Sequence, residues 1–430
     1  MKKILFILMV IIVSLFFFSF RLTVLPGFNT KMTLAGLGIF IFSLNCITQR
    51  KVVFTNELFV ASLIAMMFSF ICFYSVTTNG TNDLFYSSYI VSMWVWLGGA
   101  YTVCYIMYRI HGYISVKLVM KYLIILCVLQ CVIALLIDNF AFMRYFVDTY
   151  IYGEDSMSEE NRLYGIGAYL DIAGTRFSAV LTMIVILLSY DEEIRRNKKY
   201  IMLYIIMFVF ITVVGSMISR TTGVGAIVAF VYLIYATGVL STTFKFTNLR
   251  LWSILIALTF LLVMICIYLY KNVPAAQGLF RFGFEGFINW LETGVWRTRS
   301  TDYLQNMWIF PTSLKTWIIG DGLLLNPSNP YKFYMGTDIG YLRFIFYCGL
   351  IGLSVFAIFF IYIAVAGYKR FTEDKHLFVI LLILQAIIWV KVATDIFLVF
   401  ALFMCIPMVQ IHGRNTNKNF RKHQINNGIG

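Results

Sequence analysis

Runs of about twenty apolar residues, broken by short charged or turn-forming stretches, recur along the whole chain. A bilayer core of about 30 Å takes about 20 such residues per helix, so the pattern predicts membrane-spanning helices. About twelve are expected, over residues 4–20, 32–48, 57–76, 87–108, 118–137, 172–190, 200–218, 221–240, 251–270, 337–366, 376–391 and 395–411. The alternating segments of about ten residues that mark a transmembrane barrel are absent. The expected fold is therefore all-α, a single polytopic membrane domain over residues 1–430. No internal repeat, charge block or low-complexity tract sets off a separate soluble domain.

Composition agrees, since 60% hydrophobic and 13% charged residues exclude a water-soluble globule of this length. The first apolar run follows Lys2-Lys3 and precedes Arg21 with no small-residue cleavage site between them, so it reads as a retained helix. Cytoplasmic loops keep Lys and Arg. With the N-terminus inside, Arg50-Lys51, Arg109 to Lys121, Asp191 to Lys199, Lys245 to Arg250, Lys369 to Lys375 and the tail from Arg414 all fall on that side. More than half of the 34 basic residues are then inside, and both termini are cytoplasmic. The net charge of +14 is thereby explained by topology, which leaves no patch for nucleic acid. The basic, Asn-rich tail over 412–430 reads either as a lipid-touching or as a disordered end.

All eight cysteines lie inside expected helices, so no disulfide framework is indicated. Cys127 and Cys131 share a helix face but lack a neighbouring histidine or carboxylate, and read as packing residues. His111, His376, His412 and His423 all fall on the cytoplasmic side, leaving the outer face without a histidine.

That outer face is expected to carry two loops, 138–171 and 271–336. The first has an acidic middle followed by Arg162 and the return Tyr164-Gly165-Ile166-Gly167. In the second, Phe280 to Leu291 is rich in Phe and Trp and reads as an interfacial segment. A short helix is expected over Thr301 to Trp308, ended by Pro311. Gly320-Asp321-Gly322 and Asn326 to Pro330 are turn chemistry, expected to be the loop's mobile part.

Ionisable residues at helix ends carry the most information, because charge in hydrocarbon costs several kcal/mol unless paired or hydrated. Arg176 follows Asp171 by five residues, a poor spacing for a pair on one helix face. Arg220 sits in a short turn, where it either snorkels or binds. Asp338 and Arg343 open the helix after the large loop. Lys391 and Asp395, four apart, are expected to neutralise one another. Arg162, Arg281, Arg297 and Arg299 add cations from the loops. Arginine's planar fork fits phosphate oxygens, so a cluster of arginines on one face points to an anionic ligand such as a lipid phosphate or polyprenyl pyrophosphate.

Several fragments carry a family likeness. The long loop before Thr337-Asp338-Ile339-Gly340-Tyr341 and Gly349-Leu350-Ile351-Gly352, the turn Ile319-Gly320-Asp321-Gly322, and the arginine-bearing Gly174-Thr175-Arg176-Phe177-Ser178 and Ser219-Arg220-Thr221 together resemble the bacterial O-antigen polymerase (Wzy-type) family. The resemblance implies a membrane glycosyltransferase at the outer face of the bacterial inner membrane, joining undecaprenyl-pyrophosphate-linked oligosaccharide repeats into O-antigen, capsule or exopolysaccharide. It implies no metal and no other cofactor. The implied partners are the lipid-linked donor and acceptor, membrane lipids, a chain-length regulator and a flippase, and the two outer loops would form a lid.

Such chemistry needs stabilisation of charge on the departing pyrophosphate and removal of a proton from the attacking hydroxyl. Arg220 is the leading residue for the first, with Arg162, Arg176, Arg297, Arg299 and Arg343 as further binding candidates and Arg281 a weaker one. Asp338 is the leading base, and equally reads as a helix cap. Glu285, Asp321 and Asp171 are the alternatives, while Tyr341 and Tyr164 would contact sugar rings. An O-antigen ligase is the nearest competing enzyme, but that family carries a histidine in the large outer loop and this chain has none there. An anion transporter is the competing class, and would show matching repeats and charges near the bilayer midplane.

Overall fold

The computed structural model describes residues 2–25, 27–151, 162–239 and 246–427. The first five helices are α1 (Lys2–Phe17), α2 (Thr30–Gln49), α3 (Asn56–Asn79), α4 (Tyr89–His111) and α5 (Val116–Asn139). After the short α6 (Ala141–Tyr150) come α7 (Leu170–Tyr190), α8 (Glu192–Arg196), α9 (Lys198–Ile218), α10 (Thr221–Thr237) and α11 (Phe246–Asn272). The long polar excursion then holds α12 (Pro274–Gly283), α13 (Glu285–Thr293), α14 (Arg299–Asn306), α15 (Leu314–Ile319) and an antiparallel hairpin of β1 (Leu325–Asn326) and β2 (Asn329–Phe333). Three helices close the chain: α16 (Gly340–Arg370), α17 (Lys375–Lys391) and α18 (Phe397–Asn427).

Helix ends follow local chemistry. Asn29, Thr55 and Ser115 cap α2, α3 and α5 with side-chain oxygens, and Gly80, Gly112 and Gly238 end α3, α4 and α10 in the left-handed region. Each expected apolar segment falls on one of α1–α5, α7, α9–α11 and α16–α18. Eight of these helices are long and apolar enough to cross a membrane. Those of α1, α10 and the Phe397–His412 part of α18 are apolar but shorter. The protein is an all-α membrane protein, with the two-stranded hairpin and a few isolated β-bridges the β structure among the described residues.

Burial identifies the centre of the bundle. Of the most apolar stretch of α7, 94% is buried, against 11% in α11, so α7 is the core helix and α11 lies at the periphery. It packs on α5, α9, α10 and α17. The contact with α10 is close because Gly174 has no side chain. A Cβ there would meet Ser219 Oγ at 2.5 Å. Ser178 donates to Gly174 O (2.7 Å) and Thr221 O (2.9 Å), so the two arginine-bearing fragments singled out in the sequence are packed against one another.

Two expectations change. First, the Gly320 to Gly322 turn is docked rather than loose. Gly349, at φ 66°, interrupts α16, and a free carbonyl in an apolar bundle must find a donor. Asp321 N and Gly322 N donate to Phe346 O (2.6 Å) and Tyr347 O (3.1 Å), and Ser75 Oγ adds a bond to Tyr347 O (2.7 Å). The turn fragment and the Gly349 fragment are thus one docking contact. Second, the chain beyond 412 continues α18 in helical form through Asn427, since no proline follows Pro407 to stop propagation. The expected acidic middle of the first loop, 152–161, and Lys245 lie outside the described residues. Phe280 to Leu291 forms parts of α12 and α13, and the expected 301–308 helix begins two residues earlier, as α14.

Gly349→Ala is expected to lower stability by about 2 kcal/mol or more, because Ala is disfavoured at this φ and its Cβ would strike the Ile318 carbonyl. Thermal unfolding in detergent, followed by tryptophan fluorescence, measures it. An unchanged midpoint would show that the break tolerates a side chain.

Candidate functional site

The loop-bearing ends of α7, α10 and α17 meet the excursion at a cavity of about 240 Å³. Its walls hold Arg162, Asp171, Arg220, Phe282, Asp338 and Lys391, with Ser219, Ser300 and Tyr303 beside them. Asp171 sits in the first turn of α7 and gathers donors from two other elements. Lys391 Nζ lies 3.0 Å from its Oδ1 and 2.7 Å from Thr221 Oγ1, Ser219 Oγ donates at 3.2 Å, and Thr221 Oγ1 donates to the same oxygen. Asp338 precedes α16 and pairs with Arg343 at 3.0 Å. Burial is the main cause that raises the Asp338 pKa from its ordinary value. Arg343 opposes this, and the neighbouring Asp171 adds to it.

Arg220 forms another part of the wall. It is the residue before α10, and its guanidinium donates to Phe282 O (2.8 Å) and Ser300 Oγ (2.7 Å) and pairs with Glu285 (2.7 Å). Burial lowers its pKa from the usual guanidinium value; Glu285 acts the other way and Arg162 in the same direction as burial. Arg162 and Arg220 stand 4.8 and 4.6 Å from the centre of the same Phe282 ring. The arrangement gives a cationic wall and a second wall that holds two carboxylates with Lys391 and Arg343. Backbone strain borders the second wall, since Leu170 (φ 50°) and Met335 (φ 55°) adopt left-handed conformations just before Asp171 and Asp338.

An apolar groove of about 690 Å³ adjoins the cavity and shares Arg220 and Ser300 with it. Val213, Ile227, Phe230, Leu262, Phe287 and Trp296 line it, between α9, α10, α11 and the α12–α13 segment. Ile227 and Phe287 are well exposed, so the groove opens at the bundle's apolar periphery.

Of the residues expected to bind or react, Arg162, Arg220, Asp338 and the alternative base Asp171 meet at this cavity, while Arg343 reaches it through Asp338 and Glu285 through Arg220. Arg343 also lies 3.6 Å from the centre of the Phe333 ring. The others do not converge. Arg176, one and a half turns deeper in α7, is buried among Phe17, Phe18 and Trp96. Arg297 pairs with Asp302 on the exposed surface, Arg281 pairs with Glu292, and Arg299 is exposed outside the cavity lining. Tyr164 is buried with its hydroxyl on Asp148 (2.6 Å), and Tyr341 donates to Ala386 O (2.9 Å) on α17. Asp321 accepts from Thr316 (2.8 Å) at the docked turn.

Two local readings are corrected. Lys391 does not pair with Asp395: α17 ends at Lys391 and Val392 is extended, so the four-residue helical spacing is lost. Asp395 instead accepts from Phe397 N (2.9 Å) at the head of α18. Asp338 does not cap α16 either, for the cap position belongs to Ile339 and no side chain bonds there. Thr337 takes the local role, accepting from Ile339 N (3.3 Å) and donating to Met307 O (2.8 Å). Sequence reasoning missed Lys391, Thr221, Ser219 and Ser300 as site residues. A lone lysine in an apolar hairpin was the available signal, but its partner Asp171 is 220 residues away.

No protein-family model, curated protein or solved structure matches the chain. Among the described residues no group of three or more His, Cys, Asp or Glu side chains is placed to hold a metal ion.

Arg220→Ala removes the bonds to Phe282, Ser300 and Glu285 together and leaves the Glu285 carboxylate without its cation. Amide hydrogen exchange in residues 280–300 is expected to rise about tenfold or more, one hydrogen-bonded ion pair being worth at least about 1.4 kcal/mol of local opening. Unchanged exchange there would mean that Arg220 does not hold the segment down. Asp338→Asn removes a carboxylate whose charge burial disfavours. Its folded pKa is raised, so any stability it loses is lost as pH rises from the ordinary carboxylate value through the folded one. The variant is therefore expected to melt no lower than the wild type at pH 7.5, and a clear drop in the midpoint would contradict this.

Proposed function

We propose that the protein is a membrane glycosyltransferase that transfers a glycan from a polyprenyl-pyrophosphate carrier to a sugar hydroxyl, as in polymerisation of lipid-linked oligosaccharide repeats. One observation carries the reading: a small charged cavity joined at Arg220 to a larger apolar groove that opens at the periphery. That shape and polarity fit an amphiphile with an anionic head, its hydrocarbon chain in the groove and its phosphates against Arg220 and Arg162. The family resemblance supplies the reaction class. In this reading all twelve apolar helices cross the membrane, both termini are cytoplasmic, and the cavity faces outward beneath the 271–336 lid, in the bacterial inner membrane.

The transfer follows from the two walls. The bond between the anomeric carbon and the pyrophosphate oxygen breaks, its electron pair leaves with the pyrophosphate, and the guanidinium groups of Arg220 and Arg162 stabilise that charge. Glu285 occupies Arg220 until the phosphate displaces it. An acceptor hydroxyl forms the new bond to the anomeric carbon, and its proton passes to Asp338. Asp171 is the poorer base, because its Oδ1 is already committed to Ser219, Thr221 and Lys391. Lipid-linked donor and acceptor are the partners, and no metal enters these steps.

The break in α16 at Gly349 favours a second reading, a transporter of the same amphiphile, since interrupted helices occur at transport sites. The broken carbonyls are bonded by the protein's own turn, which ranks this reading below transfer. A ligase would use the same donor, and the loop's lack of histidine places it lower still.

Arg220→Ala and Asp338→Asn are expected to insert normally yet lower polymer formation at least about a hundredfold, the loss of about 2.7 kcal/mol of transition-state stabilisation. Arg220→Lys should recover part of the Arg220→Ala loss, keeping charge without the fork. Chain-length profiles on gels, at matched protein levels, give the answer. Normal profiles in both Arg220→Ala and Asp338→Asn would remove these residues from the site.

A further inference from the structure

Among the described residues three carboxylates and four cations lie in or next to the cavity. Arg220 holds Glu285 and Arg343 holds Asp338, each within its own wall. Lys391 and Asp171 form the third pair, joining α17 to α7 through a 3.0 Å contact. Their relation to Asp338 distinguishes them. Asp171, Lys391 and Asp338 line one cavity, so the pair presents either a balanced or an unbalanced charge to the proposed base. Among the described residues only Arg343 hydrogen-bonds the Asp338 carboxylate, and it does so at Oδ1.

We propose that Lys391 and Asp171 are positioning residues that act as a charge-balanced pair, fixing the pH at which Asp338 can accept a proton. This rests on reading Asp338 as the base. The charged groups around Asp338 are Arg343 on α16, Asp171 on α7, Lys391 at the end of α17, and Arg162 and Arg220 in the same cavity lining. Removing Lys391 leaves the Asp171 charge uncompensated beside Asp338 and disfavours the Asp338 carboxylate. Removing the Asp171 charge leaves Lys391 uncompensated and favours it. Thr221 keeps the pair in register, accepting from Lys391 and donating to Asp171. Through space Asp171 disfavours the Asp338 carboxylate and Lys391 favours it, so the pair acts by the balance of these two opposed fields rather than as a salt bridge to the base.

The test is the acid limb of the rate–pH profile of purified full-length protein acting on a lipid-linked repeat. Lys391→Met is expected to move that limb up by about one pH unit and Asp171→Asn to move it down by a similar amount. The double variant should return it close to the wild-type position, and Lys391→Arg should leave it in place. A purely structural pair would lower the rate without moving the limb, and that result, or a double variant no nearer to wild type than the singles, would overturn the proposal. Infrared titration of the Asp338 carboxyl band, assigned by its loss in Asp338→Asn, reads the same shifts without turnover and serves any single variant that is inactive. If Asp338→Asn keeps the wild-type acid limb, the base assignment fails. If the band does not move in Lys391→Met, the coupling fails.

Discussion

A carboxylate carried into an apolar helix bundle is costly unless donors meet it, and Asp171 is met from two other elements at once. Lys391 arrives from the end of α17, and Ser219 and Thr221 come from the turn into α10, all at Oδ1. This convergence depends on α7 being the core helix and on Gly174 letting the α10 turn come within contact of it. The same turn carries Arg220, so satisfying Asp171 also places the arginine that lines the same cavity. Packing, charge pairing and the site's two-walled character therefore have one origin.

A second constraint anchors the excursion. Breaking α16 at Gly349 exposes carbonyls that only donors can satisfy, and the Gly320 to Gly322 turn supplies them. The excursion is thus fixed at its late end by backbone bonds and at its early end by Arg220 with Phe282, Glu285 and Ser300. The two attachments differ in kind. Backbone bonds buried against α3 and α16 are permanent features of the fold, whereas a guanidinium bound to a carboxylate can exchange that partner for a phosphate. The early end is accordingly the part suited to open, and the groove shared at Arg220 lies directly beneath it.

The helices were legible because hydrophobic run length is a local property, and so were the fragments around Gly174, Arg220, Gly320 and Gly349, whose glycines and arginines stand out in an apolar chain. What could not be read was which of them touch. Nothing local distinguishes Arg176, buried against aromatic rings, from Arg220, which lines the cavity. Arg297 looked equivalent to both, yet a neighbouring aspartate holds it on the surface. Lys391 was assigned to Asp395 by spacing alone, an inference that holds only if the helix continues through both. Ligand-facing charge is set by contacts across hundreds of residues, and one sequence contains no record of them.

The most direct test of the account is a reconstituted reaction: wild-type protein in lipid nanodiscs, a chemically defined polyprenyl-pyrophosphate-linked repeat, and mass spectrometry of the products. Glycan transfer at this cavity predicts species spaced by one repeat, with polyprenyl pyrophosphate released in step with each new glycosidic bond. Unextended substrate after incubation with folded protein, or its movement across a bilayer of proteoliposomes with no new glycosidic bond, would contradict it.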